Sequence, residues 1–315
     1  MNTPHGIHVI DTGFVRPRLD AAYLVVEQGR GAFIDCGVNH SVPLLLAALA
    51  QAGLRPGDVD WLILTHVHLD HAGGAGELMR HLPQARLVVH PRGARHMIDP
   101  SRLWAGASAV YGEAEMERNY GRLLPVPAER VVEAADGHAV DLAGRRLICL
   151  DTPGHARHHN AIHDVASGWV FSGDTFGVSY REFDTAQGPF IIPTTSPIEF
   201  DPPVLHRSID RLVALKPAAI CPTHYGPLIP IERLAADLHE QIDAMVALAR
   251  QADQADKAAR HAHLRTDLQR LYADRAARHG WPGGEAELAR LLAIDIELNA
   301  QGLGVWLDQR AQQPS

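Results

Sequence analysis

"LTHVHLDHAGG", residues 64–74, follows the apolar run "DWLI" and sets His66, His68, Asp70 and His71 within six positions. A solvated loop has no need of three imidazoles and a carboxylate packed this closely where a strand should end. They are the nitrogen and oxygen donors that borderline-soft divalent metals take. On an extended segment His66 and His68 share one face, as two ligands of one ion must.

Working outward, "AYLVVEQGRGAFIDCG" reads as a hairpin with strands over residues 23–26 and 32–35 and a Gly-containing turn. Ser41 can cap a helix that tolerates Pro43 in its first turn, and "LLLAALAQAG" runs helically to Gly53. "DWLILTH" is a buried strand, "GELMRHLP" a short helix stopped near Pro83, and "ARLVVH" another strand. Residues 32–90 therefore read βαβαβ. The metal-type turn falls in a strand-to-helix loop, where α/β sheets place their sites.

Residues 91–130 are less legible; "SRLWAGASAVYGEAEMERNYG" is expected to be helical and offers no chemistry. Further on, "HAVDL" and "RLICLD" pair across Ala143-Gly144, and "NAIHD" and "WVFSGD" across Ser167-Gly168. "PVLHRSIDRLVALKP" is a helix and "AAICPTH" a strand ending in His224. Beyond about residue 230, Leu234, Leu238, Ile242, Met245 and Leu248 recur at helical spacing, and residues 264–278 and 285–306 read as further helices. The stripes at Leu234, Leu238, Ile242 and Met245 and at Leu291, Ile294 and Leu298 are too apolar to stand in water. The tail is expected to pack on the core or on a second subunit as a homodimer, with Trp281 and Trp306 as anchors.

A chain of 315 residues suits one large α/β domain with an appendage, and 46% hydrophobic with 21% charged residues is ordinary for a soluble protein. A formal charge of -8 argues against a nucleic-acid partner. "MNTPHGIHVIDTG" lacks the pattern of a secretory leader, and no run approaches the roughly 18 apolar residues of a spanning helix, so a cytoplasmic protein with no membrane partner is expected. Cys36, Cys149 and Cys221 lie in apolar strand-like contexts and read as reduced, buried thiols.

Of the 20 histidines most need no function, and spacing selects the rest. "DTPGHARHH" carries His155 and His159, "FSGDTFG" carries Asp174, and "CPTHYGP" carries His224. Each lies just past an apolar strand, so a layered sheet sandwich can bring them out at one edge.

The ordered set His66-x-His68-x-Asp70-His71, then His155, Asp174 and His224, resembles the metallo-β-lactamase fold superfamily of metal-dependent hydrolases, over residues 7–228. The resemblance implies an α/β fold, a four-layer αββα sandwich over residues 1–230, and the helical spacing beyond it gives a helical C-terminal extension over residues 231–315. It implies that His66, His68 and His155 hold one metal, that Asp70, His71 and His224 hold a second, and that Asp174 bridges them. Two divalent ions are expected, zinc first, with iron or manganese also suited to these donors. A water shared by two such ions loses its proton near neutral pH and becomes the nucleophile without Ser or Cys.

His159 matches a histidine often found after the third ligand and is expected to touch the site or the substrate. Tyr225 directly follows a ligand and can donate to a developing oxyanion. Asp35 in "FIDCG" can accept a hydrogen bond from a ligand imidazole, while Cys36 stands where Thr is common in such proteins. With Asp70, His159 and Tyr225 form the expected catalytic set.

The fold leaves the substrate open. After "GDT" the chain continues "FGVSYREFD", whereas glyoxalase II and persulfide dioxygenases carry a Gly-Cys-Gly-Arg type segment there. The flavodoxin domain of flavodiiron reductases and the large insert of nucleic-acid-cleaving members are missing too. The expected activity is hydrolysis of a small-molecule ester, lactone, thioester or phosphodiester by a metal-bridging hydroxide. The alternative is a non-haem iron oxidoreductase of dioxygenase type on the same ligands. "GPFIIPTTSPIEFDP", between Asp174 and His224, is expected to line the mouth of the site.

Overall fold

A computed structural model describes residues 4–195, 198–252 and 256–312. In chain order the elements are β1 (Ile7–Asp11), β2 (Ala21–Glu27), β3 (Arg30–Ile34), α1 (Val42–Gln51), β4 (Val59–Ile63), α2 (Leu69–Ala72), α3 (Ala75–His81) and β5 (Arg86–Val89). Next come α4 (Pro91–Ile98), α5 (Ser101–Tyr111), α6 (Glu113–Asn119), β6 (Val131–Glu133), β7 (Ala139–Leu142), β8 (Arg145–Asp151), β9 (Asn160–Asp164) and β10 (Trp169–Phe171). The chain continues with α7 (Pro202–Ala214), β11 (Ala219–Cys221), α8 (Ile231–Gln251), α9 (Lys257–Arg278), α10 (Glu285–Leu291) and α11 (Ala293–Ala311).

These elements divide between two compact units. The first holds the chain up to Asp151 with residues 158–173 and 217–227; the second holds residues 152–157, 174–216 and the chain from Leu228 onward.

In the first unit one sheet runs β1-β2-β3-β4-β5-β6 and the other β11-β10-β9-β8-β7. The expected hairpin is the antiparallel pair β2–β3, with Val25 opposite Ala32. β3 to β6 are parallel, as the βαβαβ reading requires. Alternation sorts their side chains: Leu24, Phe33, Leu62, Leu87 and Val89 join Leu45, Leu49, Leu78 and Met97 of the helices in one core. Tyr23, Val25, Ile34, Ile63 and Val88 face the opposite way, into a core shared with Leu147, Cys149, Ile162, Phe171 and Cys221 of the second sheet. Strands buried on both faces read as continuous apolar runs, and each buried Leu or Ile contributes about 1.5–3 kcal/mol. The three thiols are free and buried, as expected.

Some elements differ from the sequence reading. β1 is an added edge strand paired only with β2. α4, "PRGARHMI", hides its apolar face of Ala94 and Met97 among basic residues. Ser41 stands before α1, but its hydroxyl accepts from the Val38 N–H at 3.2 Å and leaves the helix uncapped. The helical stretch 101–119 breaks at Gly112.

In the second unit α8 buries Leu234, Leu238, Ile242 and Met245, with Ala249 rather than Leu248 completing the stripe. α9 starts earlier than expected, at Lys257, because Asp256 accepts from the N–H groups of Ala258 and Ala259. Of the stripe expected at Leu291, Ile294 and Leu298, only Leu291 is buried, at 7% exposed. Ile294 is 45% exposed, and α11 instead buries Asp295, Ile296, Asn299, Ala300, Leu303, Trp306 and Leu307. Trp281 packs on Phe183 and donates its indole N–H to Glu182 O at 2.8 Å. Among the described residues no helix is long and apolar enough to cross a membrane.

Candidate metal centre

In the first unit the site grows from the adjacent ends of β3 and β4. Just past β3, Asp35 takes a left-handed backbone with φ 54° and turns its carboxylate, 1% exposed, under the loop that follows β4. Oδ1 accepts the Thr65 N–H at 2.8 Å. Oδ2 accepts the hydroxyls of Thr65 (2.8 Å) and Thr223 (3.0 Å) and the Nδ1–H of His71 (2.9 Å). One buried carboxylate thus ties together the ends of three strands and fixes one imidazole. Because the Thr65 hydroxyl donates to Asp35, it can accept from His66 Nδ1, 3.1 Å away.

The two other members of the motif follow. His66 Nε2 and His68 Nδ1 are 2.8 Å apart, His68 closing the loop before α2 begins. His224, just past β11, donates Nδ1–H to Leu19 O at 2.7 Å and holds Nε2 3.3 Å from Asp70 Oδ2. His71 Nε2 lies 3.7 Å from the same oxygen. Asp70, His71 and His224 each offer one ligand atom within 4.8 Å of one another, a candidate metal-binding His/Asp group.

His155 and Asp174 belong to the second unit. The turn before His155 is pinned by the Thr175 hydroxyl on Thr152 O (2.9 Å) and the Ser208 hydroxyl on Pro153 O (2.6 Å). Gly154 is required there: at φ 121° a Cβ would stand 2.4 Å from the backbone of Leu205. His155 donates Nδ1–H to Thr194 O at 3.1 Å and holds Nε2 3.4 Å from Asp174 Oδ2.

The donor set fits a metal. His66, His71, His155 and His224 each engage a fixed oxygen through Nδ1, which selects the neutral tautomer whose Nε2 lone pair can coordinate. Close by, Asp20 is fully buried and accepts the Thr12 hydroxyl at 2.7 Å. Burial pushes its carboxyl up to about 7.

His159 is buried with its ring 4.8 Å from that of His66. His158 stacks on His66 at 6.1 Å and receives the Val67 N–H at 3.5 Å. Tyr225 is half-buried against the core between the sheets. Sequence reasoning also missed Thr65, Thr223 and the Leu19 carbonyl. The two threonines directly precede the candidate ligands His66 and His224, which was a usable signal; a backbone carbonyl leaves none. Ser196 and Pro197, in the loop expected to line the mouth, lie outside the described residues.

The sequence profile described as Metallo-beta-lactamase superfamily matches residues 15–224. The metallo-beta-lactamase fold-containing protein ST1585 of Sulfurisphaera tokodaii is 28% identical over 230 residues, 71% of this chain and 80% of that protein. The crystal structure of ST1585 matches with a TM-score of 0.66 at 26% identity, over 96% of this chain and 99% of that one. A hydroxyacylglutathione hydrolase of Xanthomonas campestris pv. campestris is 29% identical over 250 residues, 78% of this chain and 75% of that protein. A metallo-beta-lactamase family protein of Thermus thermophilus, TTHA1429, shares the fold, with a TM-score of 0.66 at 22% identity over 98% of this chain and 94% of that one.

Proposed function

The chain belongs to the metallo-beta-lactamase superfamily, and on that premise we propose that it is a dinuclear metal-dependent hydrolase of small acyl substrates, thioesters first, with esters, lactones and phosphodiesters as the neighbouring classes. In this reading His66, His68, His155 and Asp174 would hold one ion and Asp70, His71 and His224 the other, and the resemblance to the superfamily assigns Asp174 to both. Zinc suits the imidazole-rich set best. When bound, two such cations acidify a shared water and polarise the oxygen of the scissile group.

The protein's own part is positioning. Asp35 and the Leu19 carbonyl hold His71 and His224 in one tautomer, so no proton must leave these rings when an ion arrives. The Asp70 and Asp174 carboxylates bring negative charge to a site that must hold two cations, reducing their mutual repulsion. His159, buried beside His66, is assigned to orienting the substrate or its attacking water, and Tyr225 to donating toward the oxygen that gains charge.

The observation that carries the reading is the Asp70, His71 and His224 group, converging within 4.8 Å with both imidazoles anchored from behind. The thioester preference draws on the hydroxyacylglutathione hydrolase relatives, whose name denotes hydrolysis of a glutathione thioester. The segment after Asp174, "TFGVSYREFD", departs from glyoxalase II and argues for a different thiol or acyl group. The test is metal analysis of protein purified without added metal, alongside a hydrolysis screen of acyl thioesters, p-nitrophenyl esters, lactones and bis-p-nitrophenyl phosphate. Turnover that persists in chelator-treated, metal-free protein would refute the proposal.

A further inference from the structure

α11 buries a polar residue where helical spacing calls for an apolar one. Asn299 is 0% exposed. Its Oδ1 accepts the Thr195 N–H at 2.7 Å, and its Nδ2 donates to Pro193 O at 3.1 Å and to the Tyr272 hydroxyl at 2.7 Å. The amide therefore grips the peptide groups on both sides of Thr194. An asparagine can do this because one planar group carries an acceptor and two donors. Gripped so, Thr194 can turn its own carbonyl only outward from Asn299, and that carbonyl receives the Nδ1–H of His155 at 3.1 Å. The Thr195 hydroxyl adds a bond to Leu298 O at 3.4 Å, and Gln241 of α8 holds Ile191 O at 2.9 Å, so the stretch is fastened along its length.

We infer that Asn299 is a positioning residue for metal binding: through the Thr194 carbonyl it sets the tautomer and ring direction of His155, and this is what the C-terminal helix contributes to the site. The inference rests on the proposal that His155 is a metal ligand. A burial role alone does not explain the pattern. Leucine would fill the same space without the desolvation cost of an amide, whereas each of the three amide bonds here reaches a group that leads to Thr194 or steadies the amide itself.

The experiment is a Zn2+ titration of metal-stripped full-length protein against a chromophoric chelator, with thermal unfolding of the metal-free forms measured in parallel. Partners behind a ligating histidine are worth roughly 10- to 100-fold in affinity. Asn299→Ala should lose that much for one of the two ions, the same ion that His155→Ala loses. Asn299→Asp, which keeps the acceptor for the Thr195 N–H but gives up the donors, should fall between. If His155→Ala loses an ion while Asn299→Ala and Asn299→Asp bind zinc like the wild type, the inference is overturned and the metal reading survives. If His155→Ala itself binds both ions normally, the metal reading fails and takes the inference with it. Should Asn299→Ala not fold, Asn299→Asp and Tyr272→Phe decide: reduced affinity for one ion supports the inference, wild-type affinity in both overturns it.

Discussion

The carboxylate of Asp35 lies 2.9 Å from Nδ1 of His71, and the same oxygen takes the hydroxyls of Thr65 and Thr223. A buried carboxylate with this many donors is an orienting group. Asp35→Asn would replace one acceptor oxygen by an NH2 that must face a donor. Zinc affinity at the Asp70, His71 and His224 group should fall by about 10- to 100-fold, because the His71 ring loses its fixed tautomer. Isothermal titration of the metal-stripped variant measures this; an unchanged affinity would show that Asp35 only braces the strands.

Gly173 precedes Asp174 with φ 47°, and a Cβ there would stand 2.6 Å from His159 Nε2 and 2.8 Å from Thr65 Oγ1. Gly173→Ala should therefore cost roughly 1–3 kcal/mol of stability. Adding His159→Ala removes one clash and leaves the Thr65 contact and the backbone strain, so recovery in the double variant should be partial. Full recovery in a denaturant melt would place the whole cost on His159.

The legible parts of the sequence were those where one signal dominates. β4, β5 and the parallel βαβαβ order followed from apolar runs between helices, and the candidate His/Asp cluster from spacing that chance does not produce. α11 was legible as a helix but not in its facing. Asp295 and Asn299 occupy buried positions, Asp295 accepting the Tyr180 hydroxyl at 2.9 Å, so the hydrophobic periodicity pointed to the wrong stripe. Carbonyl partners such as Leu19 O and Thr194 O are invisible to residue type, since every residue carries the same group.

On the proposed function Asp70 supplies a ligand oxygen, whereas His159 only neighbours His66. Asp70→Ala should lower kcat/KM for a hydrolysed thioester by at least about 100-fold and remove one equivalent of zinc, and His159→Ala should retain both equivalents with a loss of under about tenfold. Zinc counted by atomic emission next to the rates checks this. Wild-type turnover in both variants would sink the two-ion mechanism.

Asp164, 0% exposed, pairs with the buried Arg145 guanidinium through two bonds, one of them 3.0 Å, and also accepts the Ser167 hydroxyl and the Ala166 N–H. Burial by itself would raise this carboxyl, but the bonds from Arg145 and Ser167 outweigh it and hold the group below its ordinary 3.8. An acid depressed on folding stabilises the native state fully above its unfolded value, and the contribution is lost as pH falls through the lower, folded value. Asp164→Asn removes the charge and one acceptor oxygen facing the buried Arg145 guanidinium, which keeps the amide oxygen, the His5 carbonyl at 2.7 Å and Glu27 at 3.5 Å, so at pH 7 it should cost about 1.5–3 kcal/mol. Urea unfolding of metal-free wild type and variant between pH 7 and pH 3 should show a constant gap down to about pH 4 that narrows below it. A gap that stays the same across the whole range would mean that the variant loses packing and not the ion pair.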